Sequence, residues 1–319
     1  MNPLYLTEGD VAATLTVRDA LTLVESAARA LAEGGAQNRP RQRAYLQTSV
    51  IQVLVASYAG RMGHKTYTVA PKGRGATFWY LLFNDDGEML AMLEADTLGQ
   101  IRTGAASGVA TRFMARDDAR TLAVIGTGWQ ARTQLEACLH VRRFERVLVY
   151  GRTPQHRAEF CELMSEKLGV ALHPVDSARD AVADADVICT MTSASTPVFE
   201  GSWLKAGAHV NAAGSNRANA QEIDVETVRR AGVVAVEDVA QAKVESGDLQ
   251  AANEAGAFTW ENATLLSDII AGHALGRTGD DQITLFESLG IGLWDIAAAN
   301  HVYDRCIVEG RGQPLPIPS

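Results

Sequence analysis

The stretch that most constrains the fold of this chain is TLAVIGTGWQAR, residues 121–132. An apolar run ends at Ile125, and Gly126, Gly128 and Ala131 follow it with the spacing GxGxxA before a helix-forming segment. The first glycine permits a tight turn, the second lets the backbone approach a pyrophosphate, and the small third residue allows close helix–strand packing. Free N–H groups at the start of the helix then favour phosphate. The stretch predicts a dinucleotide-binding turn; the alternative is an ordinary structural bend.

Short apolar runs alternate with helical patterns from Thr121 onward. This alternation predicts right-handed βαβ units around a parallel sheet, and therefore an α/β, doubly wound domain of Rossmann type. The predicted strands are 121–125, 146–151, 170–174, 186–191, 208–214 and 232–238, with helices at 130–141 and 154–168.

Residues 1–118 follow a different pattern, which predicts a separate α+β unit. Helices are predicted at 13–33 and 103–114, with Arg102 at a loop-to-helix transition. Strand-like segments lie between them, and the last contains the hairpin turn signal NDDGE. The strand-like segments are 49–59, 65–71 and 77–95, and a final amphipathic helix is predicted at 289–310, ending at Gly310.

The end of the second predicted strand indicates which dinucleotide binds. An NAD site usually carries an acidic residue there to hold the ribose 2′-hydroxyl, whereas this chain has Gly151, Arg152 and Thr153. An arginine and a hydroxyl suit a 2′-phosphate, so NADP(H) is the preferred prediction and NAD(H) stays possible. The alternative is that Arg152 is a solvated surface residue. The predicted cofactor contacts from the turn and this strand end are Gly126, Thr127, Gly128, Trp129, Gln130, Ala131, Gly151, Arg152 and Thr153.

Composition excludes several other classes of protein. A net charge of −9 disfavours a general nucleic-acid partner, and no apolar run is long enough for a transmembrane helix. The first ten residues lack the features of a signal peptide, which predicts a soluble, cytoplasmic protein. The seven histidines and four cysteines show no metal-ligand spacing, so no metal is predicted and the cysteines are expected to be reduced and buried.

One segment of this acidic protein contains no acidic residue. The chain has 38 Asp and Glu residues, so roughly six would be expected between Gly34 and Asn84, yet there are none. The segment predicts either a pocket for an anionic substrate or a set of solvated charges at a sheet edge. Lys65 stands out because it lies in an otherwise uncharged strand-like run. The cationic residues of the segment are Arg39, Arg41, Arg43, Arg61, Lys65, Lys72 and Arg74, with His64.

Four ordered motifs resemble the ornithine cyclodeaminase/mu-crystallin family: LGQIRTGAASGVAT (98–111), AVIGTGWQA (123–131), GAHVNAAGSNRANAQEID (207–224) and ITLFESLGIGLWDIAAANHVYD (283–304). The resemblance implies a Rossmann domain at 119–287 inserted into a substrate-binding and dimerisation domain formed by 1–118 and 288–319. It also implies a homodimer that uses NAD(H) or NADP(H) on small amino acids or their imines.

The resemblance further implies roles for particular residues. Lys65 and Arg102 match the clamp for the substrate carboxylate, and a third arginine of that clamp is either Arg41 or Arg43, with Arg43 preferred. Lys65, crowded by arginines, is expected to have a lowered pKa and either to exchange a proton with the imine nitrogen or only to bind the carboxylate. The positions implied to approach the nicotinamide are Thr192, Ser193, Ala213, Gly214, Ser288 and Leu289.

Two departures from the family pattern bear on the reaction. Asn216 stands where cyclodeaminases have an aspartate, and an amide cannot take up a proton at neutral pH. The acid-free segment also lacks the glutamate that cyclodeaminases use. The preferred hypothesis is therefore an NAD(P)H-dependent imine reductase or amino-acid dehydrogenase with Lys65, Arg102 and Asn216 at the reacting centre. The alternatives are ornithine cyclodeaminase itself and a cofactor-bound binding protein without turnover, as in mu-crystallin.

Overall fold

The computed structural model describes residues 2–70 and 76–316, so Lys72 and Arg74 lie outside the described residues. The chain forms two compact units, residues 1–102 with 291–319 and residues 103–290. These boundaries differ from those predicted at 118/119 and 287/288. The first lies within a helix, Asp96–Met114, of which residues 103–114 were predicted as a helix of the N-terminal part.

The first unit is built on a mixed eight-stranded sheet. Its strands are β1 (Leu4–Leu6), β2 (Ala36–Asn38), β3 (Gln42–Tyr45), β4 (Val50–Tyr58), β5 (Arg61–Val69), β6 (Ala76–Asn84), β7 (Met89–Glu94) and β16 (Gln313–Pro314). The order is β16–β1–β7–β6–β5–β4–β2, with β3 also paired to β4, and among the described residues only the β1–β7 pair is parallel. The predicted hairpin turn is confirmed, with Gly87 at φ 82° between β6 and β7.

Among the described residues, three helices belong to this unit, α1 (Glu8–Thr14), α2 (Val17–Ala32) and α11 (Gly292–Glu309), and α3 (Asp96–Met114) begins in it. The single helix predicted over 13–33 is wrong at its start, because α1 ends at Thr14 and α2 begins after Thr16. The Thr16 side chain accepts from the Asp19 N–H while the Asp19 carboxylate accepts from the Thr16 N–H, a capping box that restarts the helix. The C-terminal helix is confirmed, and it ends at Gly310 with φ 64°.

Side chains of β4 and β5 alternate between the two faces of the sheet. Leu54 and Lys65 are opposite one another and buried, whereas Ile51, Val55 and Met62 are on the exposed face. Helix α11 packs on β4 and β5. The alternation therefore carries one lysine into the interior of the unit.

The second unit is an entirely parallel eight-stranded sheet with the order β10–β9–β8–β11–β12–β15–β13–β14. Its strands are β8 (Thr121–Ile125), β9 (Arg146–Tyr150), β10 (Leu172–Pro174), β11 (Val187–Thr190), β12 (His209–Ala212), β13 (Ala231–Val236), β14 (Ala263–Leu265) and β15 (Ile283–Glu287). Its helices are α4 (Trp129–Val141), α5 (Pro154–Leu168), α6 (Ala178–Val182), α7 (Val225–Arg230), α8 (Val239–Glu245), α9 (Gly247–Glu254) and α10 (Leu266–Ala271).

Both faces of this parallel sheet are covered. Ala123 and Ile125 of β8 belong to one buried apolar cluster, while Leu122 and Val124 belong to another, as alternation along a strand requires. The predicted doubly wound fold and all six predicted strands are confirmed. The two further strands, β14 and β15, were not predicted, and β15 lies between β12 and β13 although it follows both in the chain.

Candidate functional site

The glycine turn after β8 is constrained by its surroundings. Gly126 has φ 114°, and a Cβ there would lie 2.2 Å from the carbonyl oxygen of Met191. Gly128 forms the N-cap of α4, and a Cβ there would have no neighbour within 4 Å. Ala131 is fully buried against the sheet. The turn thus presents an open helix N-terminus, the arrangement that binds phosphate groups.

A cavity of about 560 Å³ lies beside this turn, at the carboxyl ends of β8, β9 and β11. This volume and position suit a dinucleotide in a doubly wound sheet. The predicted residues that line it are Gly126, Thr127, Gly128, Gly151, Arg152, Thr153, Thr192 and Ser193, joined by Ile125, Tyr150, His156, Met191, Ala194, Thr196, Pro197 and Val198. The predicted residues that are not among its lining are Trp129, Gln130, Ala131, Ala213, Gly214, Ser288 and Leu289.

The end of β9 is shaped by contact with the glycine turn. A Cβ at Gly151 would lie 2.9 Å from Cγ2 of Thr127, so the two loops approach closely. Arg152 is exposed at the cavity, and Thr153 is the N-cap of α5 without a side-chain cap bond. An exposed guanidinium and an uncommitted hydroxyl are therefore available where an adenosine ribose would lie.

Two buried glutamates that were not predicted as site residues, Glu222 and Glu237, hold the loops after the neighbouring strands. Glu222 accepts hydrogen bonds from the backbone N–H groups of Thr192 and Gly214, each at 2.6 Å. Glu237 accepts from the N–H groups of Leu289 at 2.7 Å and Gly290 at 2.9 Å. Burial raises the pKa of Glu222, while its hydrogen bonds oppose that shift. Gly214 and Leu289 thus bind to protein carboxylates through the backbone rather than line the cavity.

The first unit contains a buried cluster of charged side chains. The Lys65 ammonium and the Arg102 Nε both donate to Oδ1 of Asp295 at 2.8 Å. The three side chains are 3%, 6% and 0% exposed, respectively. Two cations therefore share one anion inside the unit, and an additional anion would balance the charge.

Burial and nearby charge lower the pKa of Lys65 from 10.5 to about 7. The largest cause is burial, followed by the charge of Arg102, with Arg41 also contributing, while Asp295 opposes the shift. The lowering was predicted from like charge alone, whereas burial is the larger cause. A lysine with this pKa can both hold an anion and exchange a proton near neutral pH.

Arg102 occupies a different local setting from the one predicted. It lies within the second turn of α3 and not at a loop-to-helix transition, because the helix begins at Asp96. Its side chain is buried through contact with Asp295. Arg102 is therefore an inward-facing cation, as predicted, although it lies inside a helix.

The two candidate arginines of the acid-free segment differ. Arg41 is 7% exposed and its charge reaches Lys65, whereas the Arg43 Nε donates to Gln52 at 3.0 Å. Arg41 is therefore the buried arginine near Lys65, whereas Arg43, the preferred candidate, is half-buried. Which of them binds the substrate carboxylate stays a prediction. Arg39 is exposed and Arg61 pairs with Asp304 on the surface of α11, so the segment contains both a buried cationic group and solvated charges.

Two polar atoms beside the cluster make no hydrogen bond to the described residues: Oδ2 of Asp295 and the hydroxyl of Tyr80. Burial, together with the charge of Asp295, raises the pKa of Tyr80 well above its usual value, so the hydroxyl is a neutral donor. Buried polar atoms normally have partners. The Tyr80 hydroxyl can donate a hydrogen bond to a polar ligand, and Oδ2 of Asp295 can accept one.

Asn216 lies in the loop after β12 and is half-buried. It belongs to the second unit, whereas Lys65 and Arg102 belong to the first. The four cysteines are free and buried, as predicted. Among residues 2–70 and 76–316, no group of three or more His, Cys, Asp or Glu side chains is placed to hold a metal ion. Within the same residues, every helix is too short or too polar to span a bilayer.

The doubly wound sheet, the glycine turn and the adjoining cavity define a dinucleotide-binding protein of the Rossmann class. More particularly, the chain belongs to the ornithine cyclodeaminase/mu-crystallin family, whose model matches residues 1–310.

Named relatives agree with this assignment. The chain is 39% identical over 275 residues to a Delta(1)-pyrroline-2-carboxylate reductase of Bacillus cereus, a match that covers 84% of each chain. It is similar to the solved Delta(1)-pyrroline-2-carboxylate reductase of Thermococcus litoralis in complex with NADH and L-proline, with a TM-score of 0.93, 32% identity and coverage of 98% and 100%. It is also similar to an archaeal alanine dehydrogenase dimer with bound NAD, with a TM-score of 0.94, 30% identity and complete coverage of both chains.

These relatives are named as reductases and a dehydrogenase. The predicted family, the α/β fold and the class of NAD(P)-dependent oxidoreductase acting at C–N bonds are therefore confirmed. The two solved relatives bind NADH and NAD, respectively. The preference for NADP(H) and the cytoplasmic location stay predictions.

Proposed function

We propose that this protein is an NAD(P)H-dependent reductase of small cyclic imino acids, with Delta(1)-pyrroline-2-carboxylate as the first substrate to test. The observation that carries the proposal is the buried cluster in which Lys65 and Arg102 share one oxygen of Asp295. Its excess positive charge suits a substrate carboxylate. The Bacillus cereus relative is named for this substrate.

In this proposal the first unit binds the substrate and the second unit binds the cofactor. When bound, the reduced nicotinamide supplies a hydride to the imine carbon. The nitrogen gains one proton as the C=N double bond becomes a C–N single bond, so imine, reduced cofactor and proton give amine and oxidised cofactor. Arg41, Lys65 and Arg102 hold the carboxylate, and Asp295 holds two of these cations in place.

Lys65 is assigned either of two roles: it protonates the imine nitrogen or it only binds the carboxylate. Its pKa of about 7 supports the first role, and its contact with Asp295 supports the second. Lys65→Arg separates them, because arginine keeps the positive charge and cannot release a proton at neutral pH. Loss of turnover with retained substrate binding supports proton transfer, whereas retained turnover supports carboxylate binding alone.

The test of the proposed function is a spectrophotometric assay of NADPH and NADH oxidation with Delta(1)-pyrroline-2-carboxylate and open-chain keto acids with ammonia. Lys65→Met is expected to abolish turnover while nucleotide binding persists. Arg39→Met removes an exposed cation from the same segment and is the matched control, with near-normal rates expected. Near-normal turnover in Lys65→Met would refute the assignment of the cluster.

The exposed Arg152 at the nucleotide cavity supports a preference for NADP(H). We expect Arg152→Ala to raise KM for NADPH about tenfold, equivalent to one charged hydrogen bond, and to leave KM for NADH unchanged. A wild-type preference for NADH would contradict this assignment. This preference should be tested first, because the solved relatives are in complex with NADH and NAD.

Ornithine cyclodeaminase is the second candidate function. Asn216 and the absence of acidic residues between Gly34 and Asn84 weigh against it, since the diamine substrate then lacks two expected carboxylates. Release of ammonia from ornithine with trace NAD and no net NADH would favour it. Failure of every imino or keto acid to oxidise either nucleotide would instead support a binding protein without turnover.

A homodimer formed through the first unit is also proposed. Ile51, Val55 and Met62 form an apolar patch on the outer face of β4 and β5, and each is 43% exposed. An exposed apolar sheet face can form a two-fold interface, and the archaeal relative is a dimer. Light scattering of Val55→Asp is expected to give a smaller mass than that of the wild type; an unchanged mass would exclude this face.

A further inference from the structure

The carboxylate of Glu222 connects the ends of two adjacent strands of the parallel sheet. Oε1 accepts from the N–H of Thr192 at 2.6 Å and its hydroxyl at 2.5 Å. Oε2 accepts from the N–H of Gly214 at 2.6 Å and the hydroxyl of Thr190 at 2.8 Å. One side chain therefore fixes the loop after β11 and the loop after β12 together.

The backbone at Gly214 is built for this carboxylate. A Cβ at that position would lie 2.3–2.4 Å from the carboxylate atoms of Glu222, so only glycine permits the contact. The requirement is steric and independent of the hydrogen bonds. The close contact between this loop and the Glu222 carboxylate therefore depends on glycine at position 214.

The position of Glu222 is itself fixed from the other side. Asp248, at the start of α9, accepts through Oδ1 from the N–H groups of Glu222 at 2.9 Å and Ile223 at 3.0 Å. Thr192, held by Glu222, lines the nucleotide cavity, while Glu222 does not. The carboxylate can therefore affect a bound nucleotide only through the loops that it holds.

We propose that Glu222 is a positioning residue for the dinucleotide, setting the backbone of Thr192 and Gly214 at the cofactor-binding edge of the sheet. This inference rests on the proposed function, because it assigns the cavity to NAD(P)(H). Glutamine in place of Glu222 offers one amide oxygen and one NH₂ group, so two backbone N–H donors cannot both be satisfied. The loops must then shift, or one donor must remain unpaired.

The test measures the Kd of NADH and NADPH by isothermal titration calorimetry together with the thermal midpoint of each protein. Glu222→Gln is expected to raise the Kd of the preferred nucleotide about tenfold. Gly214→Ala is expected to act in the same direction, because its Cβ displaces the same carboxylate. The double variant should be little worse than the weaker-binding single variant, since both changes break one contact.

Asp186→Asn is the matched control for a loss of stability alone. Asp186 is also a buried carboxylate that accepts from two backbone N–H groups, those of Arg120 at 2.8 Å and Thr121 at 2.9 Å. It immediately precedes β11 and therefore lies at the amino end of the strand, opposite the nucleotide cavity. Its replacement should lower the thermal midpoint and leave Kd unchanged.

Thr190→Val keeps the test decisive if Glu222→Gln does not fold. This nearly isosteric change removes one donor to Oε2, and Thr190 does not line the cavity. It should raise Kd about threefold. An unchanged Kd in the folded Glu222 or Thr190 variant, or an equal rise in Asp186→Asn, would overturn the inference. A wild-type protein that binds neither nucleotide would overturn the proposed function as well, so the wild-type titration distinguishes the two failures.

Discussion

Replacement of Asp295 by asparagine tests the buried charge cluster most directly. The change preserves the shape of the side chain and removes the anion that Lys65 and Arg102 approach at 2.8 Å. Breaking a buried ion pair by removing one partner typically costs about 3–5 kcal/mol, because the remaining charge is left uncompensated. We expect a decrease of this size in the free energy of unfolding at pH 6, a large part of the stability of an ordinary domain.

The size of the decrease should depend on pH in a defined direction. Asp295 raises the pKa of Lys65, so its removal lowers that pKa further below 7. Below pH 7 the wild-type cluster holds a charged lysine that the variant cannot stabilise, whereas above pH 7 Lys65 is largely neutral in both proteins. The destabilisation should therefore be larger at pH 6 than at pH 9, where only the contact with Arg102 is lost.

Urea denaturation at the two pH values, followed by circular dichroism, provides the measurement. Asp304→Asn is the control, because Asp304 lies on the same helix and pairs with Arg61 at 2.7 Å on the surface. This exposed pair should contribute little at either pH. Equal losses in the two variants, or a loss in Asp295→Asn that does not change with pH, would refute the account of the cluster.

Three further results are expected. Gly126→Ala should destabilise the protein by about 1–3 kcal/mol and abolish nucleotide binding in calorimetry, because its φ of 114° and the Met191 carbonyl exclude a side chain; an alanine variant with normal affinity would contradict this. Burial raises the pKa of Asp248 from 3.8 to about 7 and that of Glu287 well above its usual value, so this pair stabilises the folded state at low pH and the contribution is lost as the pH rises. The unfolding free energy of the wild type should therefore fall with rising pH above pH 5. In Glu287→Gln this fall should be less steep by about 1.4 kcal/mol per pH unit. An equal slope for both proteins in urea titrations would show that Glu287 does not cause the fall. Thr16→Ala should lower the free energy of unfolding by about 1 kcal/mol, because the N-cap of α2 is lost. Thr48→Ala changes an exposed threonine outside any helix or strand and is the control in the same thermal scans.

The sequence was most informative where the chemistry is local. The turn at Gly126 and the strand–helix alternation are each specified by neighbouring residues, so six strands of the nucleotide-binding unit and its first two helices were predicted. The boundary between α1 and α2 was missed although its signal was present, because Thr16 and Asp19 form a capping box within a continuous helical pattern. Local sequence patterns thus predict where helices and strands lie better than they predict a break within a helical segment.

Features that depend on distant parts of the chain could not be predicted in this way. Asp295 lies 230 positions from Lys65, and its only signal was a lone acid in the apolar stretch IGLWDIAAA. Such a residue requires a buried cation as partner, but the sequence does not say which one. Glu222 was likewise included in a motif without a role, because its four donors come from the ends of two other segments, at Thr190 and Thr192 and at Gly214. Arg41 and Arg43 could not be separated, because residues two apart on a strand share a face. They differ because Arg41 lies just before β3 and Arg43 lies within it.

The position of β15 between β12 and β13 has a consequence for the order in which this protein acquires its structure. During synthesis, seven strands of the parallel sheet emerge before residues 283–287, yet β12 and β13 cannot occupy their final places until that segment arrives. The anion that compensates Lys65 and Arg102 emerges later still, at residue 295. A nascent chain therefore carries an incomplete sheet and two uncompensated cations until nearly its whole length has been made. Such a chain depends on late, long-range contacts for stability, a condition that exposes intermediates to aggregation.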